Sequence, residues 1–329
     1  MKIFFLLCLT MTLLGCSNSQ DTSLYSEVLS KPPFANFTDS IADHPNRADL
    51  YFQRAVLLNK NNFPEPALAD FRKAWSLSKE EVYAVGVSNI LLEKKPDSAI
   101  VFLKKAIDDL PNSLFLRISL ARSYDAVGKT DDALAVCNSM LQKEPSQVNA
   151  LLLKADLLEK KGDVNSVIEP LEKAYTLVPF NRELINKLAY QYAETKNAKA
   201  LSLADTLLHH DSLQEYADAF YIKGMYYSNT GQPDKAIQQF DAGIQRDHRY
   251  LNAYIEKGKI QLDHKKTNDA LKTFQLANRI TPAFPDAWYW MGRCQETLGN
   301  KAEAKENYEK AYELDKTFSE AREASEKLK

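Results

Sequence analysis

The chain has 329 residues, of which 42 are basic and 44 acidic, so its formal charge at pH 7 is −2. A protein that binds nucleic acid through its phosphates needs an excess of basic residues, usually gathered in a patch or an arm. The balance of charge therefore argues against nucleic acid as a partner. Length alone suggests about two globular domains, but the internal repeats described below override that expectation.

The first sixteen residues have the pattern of an export signal. Lys2 is followed by an apolar run over residues 3–14 and then by Gly15 and Cys16. This run is too short to cross a bilayer as a helix. The segment resembles a bacterial lipoprotein signal, and the resemblance implies that residues 1–15 are removed and that Cys16 receives the lipid. The alternative is an ordinary secretory signal in which Cys16 is incidental.

Residues 17–23 are small and polar and show no apolar periodicity. Such a composition is typical of a flexible tether, so residues 16–24 are assigned to the lipidated cysteine and its tether. Serine rather than aspartate follows Cys16, and resemblance to lipoproteins of bacteria with two membranes favours the outer membrane. Whether the folded part faces the periplasm or the cell exterior is open at this point.

Residues 25–47 are predicted to form an incomplete N-terminal repeat. Phe34, Phe37 and Ile41 have the spacing of one helical face, and Pro45 fits the end of that helix. No convincing first helix precedes them. Pairing of this unit with a second copy of the chain, to form a homodimer, is an open alternative.

From residue 48 to residue 316 one helical hairpin is repeated eight times, at intervals of 32 to 35 residues. A self-similar period of this length is the signature of stacked helical repeats. Each second helix opens with a small residue, and the residues four and seven places later complete one face of a 3.6-residue helix. The units are counted from Ala48, Glu80, Leu114, Val148, Arg182, Ala217, Leu251 and Pro285.

Small residues also mark the first helices, at the place where two helices would cross closely. Glycines such as Gly128 and Gly299 fall inside the hairpins, and prolines such as Pro111 and Pro282 fall between them. The pattern predicts an all-α solenoid in which each hairpin buries its apolar face only against its neighbours. The small residues of the first helices are Ala55, Val87, Ala121, Ala155, Ala189, Gly224, Gly258 and Gly292.

This pattern resembles the tetratricopeptide repeat family over residues 48–316. The eighth unit carries the family's positions in order, in the run 287–292 and then at Gly299, Ala304 and Tyr308. The fifth unit departs most, because Ala204 stands where an aromatic residue is usual. The resemblance implies a right-handed α-solenoid of helical hairpins with a concave groove that binds protein partners.

Residues 317–329 are predicted to form a C-terminal capping helix. Phe318, Ala321, Ser325 and Leu328 are spaced at three or four residues along an otherwise charged segment. This stripe is expected to close the last apolar face of the array.

The groove implied by the resemblance is lined by places two, five, nine, twelve and thirteen of each first helix. Eleven acidic and five basic side chains occupy these places, so the groove carries about −6. No lysine occupies place five, so the basic clamp with which some family members hold a C-terminal carboxylate is missing. Aromatic anchors dominate interface energy and charges steer encounter, so we expect a partner segment with hydrophobic anchors and basic neighbours. The candidate groove residues are Phe52, Ile118, Arg122, Leu152, Asp156, Tyr190, Tyr221, Met225, Ile255, Lys259, Tyr289 and Arg293.

No catalytic or metal-binding pattern accompanies the repeats. The five histidines form no zinc-ligand spacing, and no nucleophile motif or phosphate-binding glycine loop is found. We therefore expect no enzyme, no metal and no cofactor. Cys137 and Cys294 lie five units apart, too far for a disulfide in a solenoid, and are interpreted as buried thiols.

These observations predict a membrane-anchored adaptor of the bacterial cell envelope that binds segments of other envelope proteins in its groove. One alternative is that the apolar and aromatic residues at place five of the first helices serve helix packing only. Another is a surface or periplasmic lipoprotein that binds glycans or nutrients, since groove aromatics can stack on sugars. Glycan-binding lipoproteins with these repeats carry long insertions, and the spacing here never exceeds 35 residues.

Overall fold

The computed structural model describes residues 25–209 and 216–328. Over these residues the chain forms nineteen α-helices and no β-strand. The predicted all-α fold of stacked helical hairpins is confirmed. The predicted signal peptide, the lipidation site Cys16 and the tether lie outside the described residues.

The chain divides into two compact units, Met1–Val136 and Cys137–Lys329. The helix α8 begins in the first unit and ends in the second. The helices of the first unit are α1 (Ser26–Leu29), α2 (Ala35–Asp43), α3 (Ala48–Lys60), α4 (Pro64–Leu77), α5 (Glu81–Lys94), α6 (Pro96–Asp109), α7 (Leu114–Ala126) and the start of α8 (Thr130–Lys143).

The second unit continues the same alternation of first and second helices. Its helices are α9 (Val148–Lys160), α10 (Val164–Leu177), α11 (Arg182–Glu194), α12 (Lys199–His209), α13 (Ala217–Asn229), α14 (Pro233–Arg246), α15 (Leu251–Asp263), α16 (Thr267–Ile280), α17 (Pro285–Thr297), α18 (Lys301–Leu314) and α19 (Ser319–Lys327). Seven of the eight first helices begin at the residue from which the repeat was counted, and α5 begins one residue after Glu80. None of the described helices is both long enough and apolar enough to span a membrane.

The small residues of the repeat are buried because they lie where helices approach each other most closely. The residue that opens the buried face of the second helix is 0% exposed in all eight hairpins. These residues are Ala67, Ala99, Ala133, Val167, Ala200, Ala236, Ala270 and Ala304. A larger side chain at any of them would have to displace a neighbouring helix, because protein interiors are close-packed.

The glycines of the first helices show how close this approach is. A Cβ atom built on Gly224 would lie 2.5 Å from the ring of Phe240, and one on Gly258 would lie 2.4 Å from the ring of Phe274. The distance from Gly292 to the ring of Tyr308 would be 2.7 Å. In these three hairpins the glycine of the first helix and the aromatic ring of the second helix therefore pack directly against each other.

In seven of the eight hairpins the turn uses a left-handed residue just after the first helix. Glycine occupies this place in four hairpins, for example Gly231 with φ 72°. Asn62, Lys196 and Lys265 adopt φ values of 62°, 58° and 60° at the corresponding place. The turn geometry is thus retained in the fifth unit, where the sequence departs most from the repeat.

A buried ion pair ties the N-terminal segment to the first complete hairpin. Arg54 Nε donates to Asp70 Oδ2 at 2.6 Å and Arg54 Nη2 donates to Asp70 Oδ1 at 2.8 Å. Arg54 Nη1 also donates to Thr38 Oγ1 on α2 at 3.0 Å. Burial raises the pKa of the Asp70 carboxyl, because lost hydration outweighs the attraction of Arg54. The three side chains thus connect α2, α3 and α4.

The two ends of the described array are closed by aromatic contacts. At the N-terminal end Phe34 is buried and meets the ring of Phe63 edge-on, at a centroid distance of 5.8 Å. At the C-terminal end Phe318 lies 5.0 Å from the ring of Tyr289, and Ala321 of α19 is fully buried. The short helices α2 and α19 therefore pack against the first and last complete hairpins.

Both cysteines within the described residues are buried thiols. Burial raises the pKa of Cys137 to about 11 and that of Cys294 to about 12. Because the thiolate is the reactive form, we expect both to resist alkylation at pH 8 in the folded protein, with rates at least about 100-fold below those in denaturant. Mass spectrometry of iodoacetamide-labelled peptides would measure this, and rapid labelling of either residue in the native protein would contradict it.

Candidate functional site

A depression of the second unit is formed by its first helices. It has a volume of about 440 Å³ and is built from α9, α11 and α13 and the start of α15. Most of its residues occupy the places that the sequence assigned to the groove. The lining residues are Glu159, Glu183, Asn186, Lys187, Tyr190, Asp218, Tyr221, Ile222, Tyr250 and Asn252.

Three tyrosines give the depression its aromatic surface. The rings of Tyr221 and Tyr250 meet edge-on at a centroid distance of 5.4 Å, and Tyr221 also lies 5.7 Å from the buried ring of Phe240. Tyr250 donates its hydroxyl hydrogen to Asp218 Oδ1 at 2.8 Å. Tyr190, on the neighbouring helix, is half-buried. These contacts hold Tyr221 and Tyr250 in place, so the aromatic surface is preformed.

The charged residues of the depression are mainly acidic. Glu159, Glu183 and Asp218 face a single basic residue, Lys187. Lys187 Nζ contacts Glu159 Oε2 at 2.9 Å and also pairs with Asp156. The ammonium group of Lys187 is therefore already engaged, and the depression as a whole keeps a negative charge.

A second acidic group lies farther along the same helices. Glu256 accepts a two-point contact from Lys259 Nζ, at 2.9 and 3.0 Å. Burial raises the pKa of Glu194, and the neighbouring Glu256 raises it further. Burial also raises the pKa of the Tyr190 phenol, and Glu194 and Glu256 add to this effect. Carboxyl groups therefore continue beyond the depression along α11 and α15, and that of Glu256 is already paired with Lys259.

The structure brings some of the predicted groove residues together. Tyr190 and Tyr221 line the depression, and Asp156 pairs with Lys187 at its edge. Leu152, Tyr190 and Met225 are half-buried against one apolar cluster of the second unit. Ile255 is only 7% exposed and therefore belongs to the core as much as to the surface.

Tyr289 and Arg293 line a separate depression of about 420 Å³ between α17 and α19. Arg293 Nη1 donates to the hydroxyl oxygen of Tyr289 at 3.4 Å. Lys259 and Arg293 each lie 5.8 Å from the ring centre of Trp290, and Glu296, Glu320 and Glu323 line the same depression as Arg293, so carboxylates outnumber basic groups there too.

The remaining predicted residues belong to the first unit. Phe52 is half-buried, and its ring lies 5.8 Å from Phe71 and 5.1 Å from Tyr83. Ile118 is half-buried and Arg122 is exposed. Phe52 therefore serves helix packing at least in part, as the alternative interpretation of place five allows.

Sequence reasoning missed three residues of the depression, Lys187, Ile222 and Tyr250. Tyr250 directly precedes α15, outside the places counted along the first helices. Lys187 occupies place six of α11, next to a predicted groove position. The contact of Tyr250 with Tyr221 joins residues 29 positions apart in the sequence, and no local pattern indicates it. Within the described residues no group of three histidine, cysteine or acidic side chains has the geometry of a metal site.

Comparison with known sequences decides the family. Two sequence profiles, both described as tetratricopeptide repeat, match this chain, one over residues 217–248 and 285–318 and the other over residues 91–157. The chain contains tetratricopeptide repeats over these residues. The predicted resemblance to this family is confirmed, whereas the lipoprotein signal stays a prediction. Tetratricopeptide repeats generally mediate interactions between proteins, and the first helices of these repeats form the depression described above.

A solved tetratricopeptide repeat protein from Parabacteroides merdae is similar in fold, with a TM-score of 0.62 and 18% identity over 74% of this chain and 96% of that one. Human DnaJ homolog subfamily C member 7 is 21% identical over 269 residues, which are 81% of this chain and 49% of that protein. Human protein O-mannosyl-transferase TMTC1 is 23% identical over 210 residues, 60% of this chain and 23% of that protein. This chain thus spans less than half of the length of each of these two curated relatives.

Proposed function

We propose that this tetratricopeptide repeat protein is a lipid-anchored scaffold of the bacterial cell envelope, which holds segments of partner proteins on the surface formed by its first helices. The observation that carries the proposal is the preformed tyrosine-lined depression at Tyr190, Tyr221 and Tyr250, in a fold whose general role is protein binding. Its chemistry is that of binding and not of turnover, because it holds no nucleophile paired with a base.

The depression has the features of a protein-binding hot spot. Tyrosine is enriched among the residues that dominate interface energy, because it buries a large rigid surface and keeps a polar tip. Tyr221 and Tyr250 are held by ring contacts and by the hydrogen bond to Asp218, so little conformational entropy is lost when a partner binds. The surrounding carboxylates favour the approach of a segment with basic residues.

Crosslinking in intact cells followed by mass spectrometry tests the scaffold. Wild-type protein is expected to recover a defined set of envelope proteins. The double change Tyr221→Ala and Tyr289→Ala is expected to reduce that recovery about tenfold or more, since truncating one hot-spot residue costs roughly 2 kcal/mol.

A matched control changes two tyrosines of second helices, Tyr175→Ala and Tyr312→Ala, and is expected to leave recovery unchanged. Circular dichroism of both double variants checks that they are folded. Equal recovery by wild type and by the Tyr221 and Tyr289 variant would show that the first-helix surface does not bind the partner.

The membrane anchor is proposed from the lipoprotein-like segment that ends at Cys16. Metabolic labelling with a palmitate analogue is expected to mark the wild-type protein and not a Cys16→Ser variant. Separation of the two membranes then determines whether the labelled protein lies in the outer one. Release of the wild-type protein into the soluble fraction without label would contradict the anchor.

The proposal includes a homodimer at the N-terminal partial repeat, residues 25–47, as one way in which the scaffold would assemble. Sedimentation velocity measures whether the purified protein is a monomer or a dimer, and whether a variant lacking these residues differs from it. A monomer at every concentration up to about 100 µM would remove the homodimer, since a biological interface is expected to associate well below that value.

A further inference from the structure

We propose that the depression between Tyr190, Tyr221 and Tyr250 receives the side chain of an arginine, carried by an extended segment of the partner protein. The inference rests on the proposed function, because it names the residue that a bound partner would insert into the same surface. It concerns the second unit alone, where all ten lining residues lie.

The charge of the depression selects a cation. Its three carboxylates, on Glu159, Glu183 and Asp218, exceed the one ammonium group, on Lys187. Lys187 is satisfied by Glu159 and by Asp156. Glu183 forms no ion pair within the described residues, and Asp218 uses Oδ1 for the bond with Tyr250 and keeps Oδ2 for another donor. Two carboxylates are therefore available to a cationic group from outside.

A buried acceptor adds a more specific requirement. Asn186 Oδ1 is shielded from solvent and has no hydrogen-bond partner, and Asn186 lines the depression. A buried oxygen without a donor costs about 1 to 3 kcal/mol, so a ligand N–H group toward which the half-buried Asn186 amide turns would recover that free energy. A hydrophobic side chain in this place would leave the oxygen unpaired.

The aromatic lining favours a guanidinium over an ammonium group. A guanidinium is planar, stacks on aromatic faces and presents five N–H donors, whereas an ammonium is a compact and strongly hydrated charge. The same unit already contains such a stack, since the guanidinium carbon of Arg182 lies 3.5 Å from the ring centre of Tyr216. An arginine would therefore combine contact with a tyrosine face and donation of N–H groups to the carboxylates of the lining.

The volume of about 440 Å³ exceeds that of one arginine side chain and leaves room for the backbone of an extended segment. The lining reaches from Glu183, at the start of α11, to Asn252, at the start of α15, so the depression crosses the first helices. We expect the segment to lie in this direction, across the first helices.

Fluorescence anisotropy with four labelled peptides tests the inference on the full-length protein. The peptides are nine residues long, consist of alanine and leucine, and differ only at the central place, which is arginine, lysine, citrulline or glutamate. Citrulline keeps the shape of arginine without its charge. We expect the arginine peptide to bind about tenfold more tightly than the citrulline peptide, with lysine between them, and the glutamate peptide to bind least.

Variants of the depression identify the site. The double change Glu183→Gln and Asp218→Asn is expected to remove most of the preference for arginine while leaving the citrulline peptide unaffected. Asn186→Leu is expected to weaken the binding of the arginine peptide severalfold. The control Glu306→Gln removes an exposed carboxylate from the second helix α18 and is expected to change nothing.

Equal affinity for arginine and citrulline overturns the inference, as does an arginine preference that survives the Glu183 and Asp218 changes. If all four peptides bind equally and Tyr221→Ala weakens all of them, the scaffold proposal stands and only the arginine assignment fails. If no peptide binds at millimolar concentration, the arginine assignment fails, and the cellular crosslinking experiment decides the scaffold proposal separately. Oligosaccharide binding that is lost in Tyr221→Ala would assign the depression to a glycan instead.

Discussion

Replacing Asp70 by alanine is expected to lower the free energy of unfolding of the first unit by about 3 to 5 kcal/mol. The change leaves the guanidinium of Arg54 buried, with the hydroxyl of Thr38 as its remaining hydrogen-bond partner and the ring of Tyr51 5.9 Å away. The side chains of Arg54 and Asp70 are 8% and 9% exposed, so water cannot replace the lost carboxylate without opening the contact between α3 and α4. A buried charge without its partner is among the most destabilising changes known for single residues.

Urea denaturation followed by circular dichroism measures this loss. Repeat proteins can unfold locally before they unfold globally, so hydrogen exchange of α2, α3 and α4 accompanies the equilibrium curve. The double change Arg54→Met and Asp70→Leu removes both charges and is expected to be much less harmful than Asp70→Ala, because it leaves no unpaired charge in the core. A loss below about 1 kcal/mol in Asp70→Ala would show that the pair is effectively solvated.

Replacing Gly258 by leucine is expected to destabilise the second unit by about 1 to 3 kcal/mol or more, through overpacking. Its first added atom already falls 2.4 Å from the ring of Phe274. Phe274 is 0% exposed and stacks on Trp290 at a centroid distance of 6.0 Å. The ring therefore has no free direction in which to move, and α15 must shift away from α16.

Gly243→Ala provides the matched control, since this glycine also lies inside a helix. A Cβ there would have its nearest neighbours, Ala217 O and Phe220 Cβ, at 3.5 Å, an ordinary van der Waals distance. Alanine is the better helix former by about 1 kcal/mol, so this variant is expected to be as stable as wild type or more so. Thermal melting of both variants compares them. If Gly258→Leu and wild type melt at the same temperature, the close contact between Gly258 and the ring of Phe274 does not limit the size of this residue.

The periodic part of the fold could be predicted because the same requirement, a small residue where two helices meet, recurs in all eight hairpins. Ala67, Ala236 and Ala304 occupy one register, and each is fully buried. A single alanine is uninformative, but alanine or another small residue at a constant interval indicates a repeated close contact between helices. The turn at Lys196 follows the same geometry without the usual glycine, since the helices on either side constrain its backbone.

The candidate site could be predicted only in part. Tyr190 and Tyr221 were expected on one surface, because their places repeat along the first helices. Tyr250 and Lys187 were not, because their positions in the depression depend on how neighbouring hairpins are rotated against each other. The pairing of Lys187 with Asp156 and Glu159 joins two hairpins, and only the packed structure shows that this lysine is engaged while Glu183 is left without an ionic partner.

The amino-acid sequence by itself determined that the chain is helical, where each hairpin begins and which residues face its interior. These features follow from local periodicity and residue size, and each can be read within about forty residues. The tertiary structure alone decided which side chains of successive hairpins meet, and therefore where the tyrosines, the unpaired carboxylate of Glu183 and the buried oxygen of Asn186 form one depression. The physical reason is that close packing sets the rotation between neighbouring hairpins, and that rotation depends on all their contacts together.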